Sequence, residues 1–325
     1  MIRVSVAPMM DRTDRHYRWF LRQITRDTLL YTEMITARAI RHGDRERLLS
    51  FDAVEHPISV QLGGDDPAEL ASAARVAVEA GYDEVNLNVG CPSDRVQAGR
   101  FGACLMAHPS QVADCVTAIR EAVPVEVTVK HRIGIDDLDS YEHMLGFVDV
   151  VAQAGCKRFS VHARKAWLTG LSPKENRTVP PLRYDDVYRL KRERPDLDIE
   201  INGGVTTVAQ VMSHLEHVDA VMIGRAAYDD PWLMAEVARA ALGESVPSPD
   251  RLAVVEAVAE RVTQVRAAGE SAWPLLRHLH GLFHGQPGAR AWKAAITQAG
   301  RTGEVAPIRE YLERGRAREA SAGAA

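Results

Sequence analysis

The feature that most limits how this chain can fold is the regular return of short apolar runs, each followed by a helical stretch. Candidate strands lie at 4–9, 29–34, 58–62, 84–89, 125–130, 158–162, 198–202 and 220–223. They are brief, rich in β-branched residues and bounded by turn residues, which is the pattern of parallel strands buried on both faces. Between them, Val112, Cys115, Val116 and Ile119 share one helical face. Val208, Val211, Met212 and Leu215 share another, after a Thr206-Thr207 start suited to capping. Gly81 and Gly155 follow helical runs, where a left-handed residue closes a helix. Eight alternating units predict an α/β chain folded as a (β/α)8 TIM barrel rather than an open doubly wound sheet. No GxGxxG follows the first strand to support the open sheet.

After Leu242 the texture changes. Residues 243–249 (Gly-Glu-Ser-Val-Pro-Ser-Pro) read as a linker, and no strand pattern follows. Leu252, Val255, Ala259 and Val262 begin an amphipathic helix; Leu275, Leu276, Leu279, Leu282 and Phe283 suggest another. The expected organisation is a barrel over 1–243 and a small all-helical C-terminal domain over 250–325, ending in a frayed Ala/Gly/Arg-rich tail.

Several classes are excluded by what the chain lacks. No apolar run approaches the eighteen residues of a membrane span, and the N-terminus has no signal-peptide pattern. Cys91, Cys104, Cys115 and Cys156 form no CxxC pair and no zinc-like spacing, so they read as reduced thiols of a cytoplasmic protein. His280 and His284, four apart, have no carboxylate near them in sequence, and no metal site is expected there. A formal net charge of −4 argues against a protein that coats nucleic acid indiscriminately, but not against a local basic surface. Residues 159–174 hold no carboxylate while carrying Arg164, Lys165 and Lys174. Residues 271–303 likewise hold none, with Arg277, Arg290, Lys293 and Arg301. Such stretches are usually solvated faces, and become informative only beside a nucleic-acid chemistry.

Barrel active sites form at the C-terminal ends of the strands, so unusual polar residues and glycines should collect there. They do: Ala7-Pro8-Met9, Gln61-Leu62-Gly63-Gly64, Asn86-Leu87-Asn88-Val89-Gly90-Cys91-Pro92, Lys130-His131-Arg132, His162-Ala163-Arg164, Asn202-Gly203-Gly204 and Gly224-Arg225. Each alone has a bland reading: a turn, a barrel-layer ion pair, a small core cysteine. The set on one rim is harder to dismiss. Gly203, Gly204 and Gly224 let backbone N–H groups approach a phosphate, and Arg225 adds charge and forked donors. The Gln61 amide suits the edge of a heteroaromatic ring, and Lys130 can stabilise negative charge on a reduced one. An isoalloxazine with a phosphorylated tail, FMN, fits all three requirements.

Over nearly its whole length the chain resembles the flavin-dependent tRNA-dihydrouridine synthases, and within them the A subgroup. The motifs that carry the likeness are those strand ends together with Ser93, Val129-Lys130-x-Arg132-Ile133-Gly134, Lys165 and Pro173-Lys174-Glu175-Asn176-Arg177. In the C-terminal domain the stretch Gly281-Leu282-Phe283-His284-Gly285-Gln286-Pro287-Gly288-Ala289-Arg290-x-Trp292-Lys293 resembles the subgroup's own signature. The resemblance implies reduction of the C5=C6 bond of tRNA D-loop uridines, U20 and U20a by subgroup, with NADPH reloading FMN. It implies FMN contacts at Pro8, Met9, Gln61, Lys130, His162, Asn202, Gly203, Gly204, Gly224 and Arg225. It implies that Asn88 holds the extruded uracil, and that Cys91 protonates C5 after hydride passes from flavin N5 to C6. Arg95, Lys174, Arg177, Arg183, Arg290 and Lys293 are the candidate tRNA contacts; His131 is given no role. No obligatory protein partner is evident. Three other readings compete: a class I aldolase using Lys130, an FMN reductase of free pyrimidines, and a non-catalytic RNA-binding protein on a retired barrel. Only the tRNA-dihydrouridine synthase reading gives Gln61, Cys91 and the basic C-terminal stretch a purpose together.

Overall fold

The computed structural model describes residues 3–243 and 250–323, apart from the side chains of Arg95, Glu319 and 322–323. The greater part of the expected linker, 244–249, lies outside the described residues. Eight parallel strands run in chain order: β1 (Val4–Val6), β2 (Leu29–Thr36), β3 (Ile58–Gly63), β4 (Glu84–Val89), β5 (Glu126–Arg132), β6 (Arg158–His162), β7 (Asp198–Asn202) and β8 (Ala220–Ile223). They close into a barrel in that order, β8 pairing back onto β1.

The expected bounds hold for β4, β6, β7 and β8, and differ at the others. β1 stops at Val6 instead of residue 9: Ala7 N–H still donates to Ile223 O, but Pro8 has no N–H with which to continue the ladder. β2 runs on to Thr36 after a register shift against β3 between Tyr31 and Met34. β5 takes in His131 and Arg132, which pair with Val161 and His162 of β6.

Strand alternation sorts the residues onto two faces. Val85, Leu87, Val89, Val127, Val129, Ile199 and Ile201 are buried in the apolar layer. The other face carries a polar set, Ser5, Ser59, Gln61, Glu84, Asn86, Asn88, Thr128, Ser160 and Glu200, buried and joined by hydrogen bonds, beside a small apolar cluster of Ala7, Leu29, Tyr31 and Met222. Barrel interiors are usually filled by layers of branched apolar side chains, so this polar lining is unusual.

The helix Pro109–Ala122 buries Val112, Cys115, Val116 and Ile119, as their spacing predicts. Thr207 caps the helix Val208–His214 in a capping box with Gln210. Its buried face differs from the expected one: Met212 is exposed, Leu215 is only half-buried, and His214 is buried beside Val211. His214 is drawn in by the Tyr188 hydroxyl, 2.7 Å from its Nδ1, and by the Tyr184 ring. Gly81 and Gly155 adopt φ of +106° and +93°, the left-handed region expected after their helices.

Tertiary contacts divide the chain into two compact units, 1–13 with 28–224, and 14–27 with 225–325. These bounds differ from the ranges read from sequence, because the helix Arg15–Arg22 and the helices from Arg225 onward belong to the helical unit. The reason is local. Asp14 caps that helix through the N–H groups of His16 and Tyr17, and its carboxylate also holds Arg277 Nη2 at 2.5 Å and His278 Nε2 at 3.0 Å. The Tyr17 hydroxyl donates to Ala227 O at 2.7 Å. In the rest of this unit, Arg251–Ala267 forms the expected helix with Leu252, Val255, Ala259 and Val262 buried. The apolar set from Leu275 to Phe283 is buried but is not one helix. It comprises a short helix, Trp273–Leu276, and a 3-10 turn, Leu279–Gly281, whose Gly281 packs where a Cβ would come 2.6 Å from the Asp229 carbonyl oxygen. Helices Ala289–Thr302 and Ala306–Gly323 follow, so the tail expected to fray is helical through Gly323.

Candidate functional site

Sheet register assembles the site. Pairing sets Gln61 beside Asn86, Asn86 beside Thr128, and Asn88 beside Lys130. Their side chains then link directly. Asn88 Nδ2 donates to Gln61 Oε1 at 2.8 Å, and Gln61 Nε2 donates to Asn86 Oδ1 at 2.8 Å. Asn86 Nδ2 donates to Thr128 Oγ1, and the Thr128 hydroxyl donates to Glu84 Oε1, both at 2.9 Å. Glu84 also accepts from Ser59 and Tyr31 and pairs with Arg158. Sequence reasoning quoted Asn86 without giving it a role, and missed Glu84, Thr128 and Arg158 altogether. The polar–apolar alternation of Glu84-Val85-Asn86-Leu87-Asn88-Val89 was the available signal.

Beyond β4, the loop carrying Cys91 is held from several directions. Asn88 Oδ1 accepts the N–H groups of Gly90 at 3.1 Å and Cys91 at 3.0 Å. Arg132 Nε donates to Gly90 O at 2.8 Å, while its Nη1 reaches Lys165 O and Asn176 O, each at 3.0 Å. Burial lowers the Arg132 guanidinium to about 10, with the Cys91 thiol opposing and Arg177 and Arg164 assisting. Asn176, fully buried, accepts from Trp167 N and donates to Trp167 O and Leu171 O, closing the loop after β6. Arg132 and Asn176 are thus structural members of the site that motif reading left without roles. Cys91 Sγ lies 3.5 Å from Ser93 Oγ and keeps part of its solvent exposure. All four cysteines are free thiols; burial pushes Cys115 and Cys156 up to about 12 and raises Cys104. Cys115 and Cys156 are buried, which leaves them with packing roles.

Lys130 Nζ lies 3.3 Å from Asn202 Oδ1, and Asn202 Nδ2 donates to Met222 O at 2.8 Å. The side chain is not wholly sealed from solvent, yet protein packed around the ammonium lowers it to about 8. Arg132 adds to that shift; Glu200 and Cys91 oppose it. The next turn needs glycine twice. Gly203 has φ of +118°, and a Cβ there would come 2.7 Å from His162 Cδ2. Gly204 has φ of +73°, and a Cβ would meet Leu182 Cδ1 at 2.7 Å; the Tyr184 hydroxyl fastens the turn by donating to Gly203 O. Gly224 differs: a Cβ there would find only Ala7 at an ordinary 3.8 Å. Gly224 ends the barrel unit, and Arg225 opens the helix Arg225–Asp229. Pro8 and Met9 are half-buried just past β1, where Met9 N–H donates to Thr13 Oγ1 at 3.0 Å.

The candidate basic contacts separate. Lys174 and Arg177 are exposed on the loop after β6, and Arg290 and Lys293 are exposed on the helix Ala289–Thr302. Arg183 is already engaged by Asp186 and, at 3.5 Å, by Asp139. The Arg95 side chain lies outside those described. His284, expected to have no carboxylate near it in sequence, has Asp230 at 3.6 Å in space. No group of metal-ligating side chains occurs among the described residues, and no described helix is long and apolar enough to cross a membrane.

This arrangement of a closed barrel, an amide-lined mouth and a free thiol can be compared with known proteins. A solved 2-naphthoyl-CoA reductase complex shares the barrel fold at a TM-score of 0.56 and 11% identity, covering 73% of this chain and 50% of that one. Curated relatives are far more similar. A "tRNA-dihydrouridine(20/20a) synthase" of Synechocystis sp. is 60% identical over 91% of this chain and 89% of its own length. Proteins of that name from Shewanella oneidensis and Pseudomonas aeruginosa are each 54% identical, over 90% and 91% of this chain and 88% and 89% of theirs. The family profile "Dihydrouridine synthase (Dus)" matches residues 5–315, and the chain belongs to that family.

Proposed function

We propose that the chain reduces the C5=C6 bond of uridines 20 and 20a in the D-loop of tRNA, with FMN as its flavin and NADPH as reductant. The observation that carries this reading is the joining of Gln61, Asn88 and the Cys91 backbone into one hydrogen-bonded group at the ends of adjacent strands, with Lys130 beside Asn88 in the sheet. Relatives at 52–60% identity bear names for that activity.

The residues fit a flavin phosphate and ring. Gly203 and Gly204 form a positive-φ turn just past β7 packed beside His162, and the nearest partner of the Lys130 ammonium is the Asn202 amide rather than a carboxylate. Gly203, Gly204, Gly224 and Arg225 would hold the phosphate; Gln61, Lys130, His162, Asn202, Pro8 and Met9 would hold the ring and its chain. When bound and reduced, FMN supplies hydride to C6 of the uracil. Lys130 places positive charge against the ring system. Asn88, with its oxygen occupied by two backbone N–H groups, offers N–H to a carbonyl of the base. The enolate left at C5 takes a proton from the Cys91 thiol, which Asn88 and Arg132 hold in place through the 90–91 backbone. Lys174, Arg177, Arg290 and Lys293 meet phosphates, giving the helical unit a tRNA-binding role. Arg183 is left out of that set because Asp139 and Asp186 already match its charge.

The test is direct. Purified protein should be yellow, bleach with NADPH and install dihydrouridine at positions 20 and 20a of tRNA. Cys91→Ala should keep the flavin and lower uridine reduction by about 100-fold or more. A colourless protein that FMN cannot reconstitute would overturn the reading; activity on free uracil with none on tRNA would replace it with a pyrimidine reductase.

A further inference from the structure

We propose that Glu84, Thr128 and Asn86, none of which touches the reacting atoms, are positioning residues: the Glu84 carboxylate fixes which way each amide faces up to Asn88 and Cys91. The proposal rests on the reading of Asn88 and Cys91 given above and adds the part of the barrel that aims them.

The argument is one of hydrogen-bond polarity. A carboxylate can only accept. Glu84, paired with Arg158, therefore requires the single hydroxyl proton of Thr128, which it receives at 2.9 Å. Thr128 Oγ1, its proton committed, has only acceptor capacity left, so Asn86 must turn its NH2 toward it. The Asn86 oxygen then faces Gln61 and demands the Gln61 NH2. That turns Gln61 Oε1 toward Asn88 and draws in the Asn88 NH2. The last consequence falls on Asn88 Oδ1, which is left facing the backbone and accepts from both Gly90 and Cys91. Every donor along the path points toward Glu84, and three side-chain amides, each able to flip in isolation, are left with one orientation. Asn86 and Thr128 are fully buried, so water cannot substitute for a missing link.

Polarity also bears on substrate choice. Asn88 reaches the barrel mouth with its oxygen consumed and an N–H remaining, so it addresses a carbonyl oxygen. Uracil carries a carbonyl where cytosine carries an amine, and a flipped Asn88 would lose that preference while releasing the Cys91 backbone.

Thr128→Val removes the hydroxyl at nearly constant shape and cuts the path, while Thr128→Ser preserves it. Ser59→Ala is the control: it deletes another 2.9 Å hydrogen bond to the same Glu84 oxygen without interrupting the path. Two quantities are measured, kcat at saturating tRNA and the rate of Cys91 alkylation by iodoacetamide, followed by peptide mass spectrometry without tRNA. The expected result is a loss of about tenfold in kcat and a change of about threefold or more in Cys91 alkylation for Thr128→Val. Thr128→Ser and Ser59→Ala should both stay within about twofold of the parent. The proposal is overturned if Thr128→Val alkylates at the parent rate, or if Ser59→Ala shifts both quantities as far as Thr128→Val does. If the parent reduces no tRNA uridine, the functional reading fails, and the alkylation comparison still decides the positioning role. Should Thr128→Val not fold, Thr128→Ala cuts the same link and is compared with Ser59→Ala in the same way.

Discussion

At the scale of single residues, Lys130 carries the sharpest consequence of the proposed flavin site. Its ammonium lies 3.3 Å from the Asn202 amide oxygen, and surrounding protein lowers it to about 8. The unfolded chain holds that proton until about pH 10.4, so between those values the unfolded state binds more protons and the ligand-free fold gains stability as pH rises. A bound flavin ring that accepts a hydrogen bond from the ammonium reverses the preference, because it favours the charged form. FMN affinity should therefore be level approaching pH 8 from below and decline above it, measured by fluorescence quenching. In Lys130→Met the break should disappear, affinity should drop at all pH values, and the ligand-free protein should melt higher than the parent. A break that persisted in Lys130→Met would assign it to another group. Much of this was legible from sequence: Gln61, Asn88, Cys91 and Lys130 announce themselves as polar residues at strand ends. Arg132 and Asn176 did not, because their work is on the backbone: Arg132 holds carbonyls of loops distant in sequence, and Asn176 ties together the loop it belongs to.

At the scale of elements, β5 carries opposite chemistries on its two faces. Thr128 and Lys130 belong to the polar lining, whereas His131 packs tilted against Phe147 of the helix Tyr141–Gln153 and edge-on to Phe159 of β6. Its Nδ1 donates to Arg132 O at 2.7 Å, while Nε2 has no hydrogen-bond partner. Burial lowers the imidazole to about 4, with the neighbouring Lys130 contributing and the Arg132 carbonyl opposing. The folded value lies below the ordinary 6.5, so this group's stabilisation is complete above pH 6.5 and is lost as pH falls toward 4 and below. His131→Leu should flatten the dependence of urea-unfolding free energy on pH in that window; an unchanged slope would place the acid sensitivity elsewhere. The strand pattern in sequence was read correctly as buried and parallel, but its inner polar layer was not. Alternation tells which residues share a face, not which face is the barrel interior, and the habit of apolar interiors pointed the other way.

For the whole molecule, the feature sequence could not reveal is that the helical unit is discontinuous. Nothing in 14–27 distinguishes its helix from one that covers the barrel; its membership comes from Asp14, Tyr17 and their partners more than two hundred residues later. Burial tends to raise the Asp14 carboxyl, but His278, the Tyr17 N–H and Arg277 together hold it well below the usual carboxylate range. A chain cut after Gly243, where sequence alone places the domain boundary, keeps the helix Arg15–Arg22, with its buried Tyr17, Phe20 and Leu21, but loses Arg277, His278 and the rest of its unit beyond that point. That truncation should bind a hydrophobic dye such as ANS and melt without a single cooperative transition. A soluble, cooperatively melting 1–243 fragment that binds no dye would show the helix to be independent of its C-terminal partners.

The same discontinuity sets an order of events at the ribosome. The helix capped by Asp14 emerges 263 residues ahead of its partner Arg277, with His278 just behind. At the usual elongation rate of about 5–20 residues per second, that apolar face waits roughly 10–50 s for its cover. The barrel strands emerge during that interval, so synthesis of this protein includes a period in which a nascent hydrophobic helix depends on a chaperone or on provisional contacts.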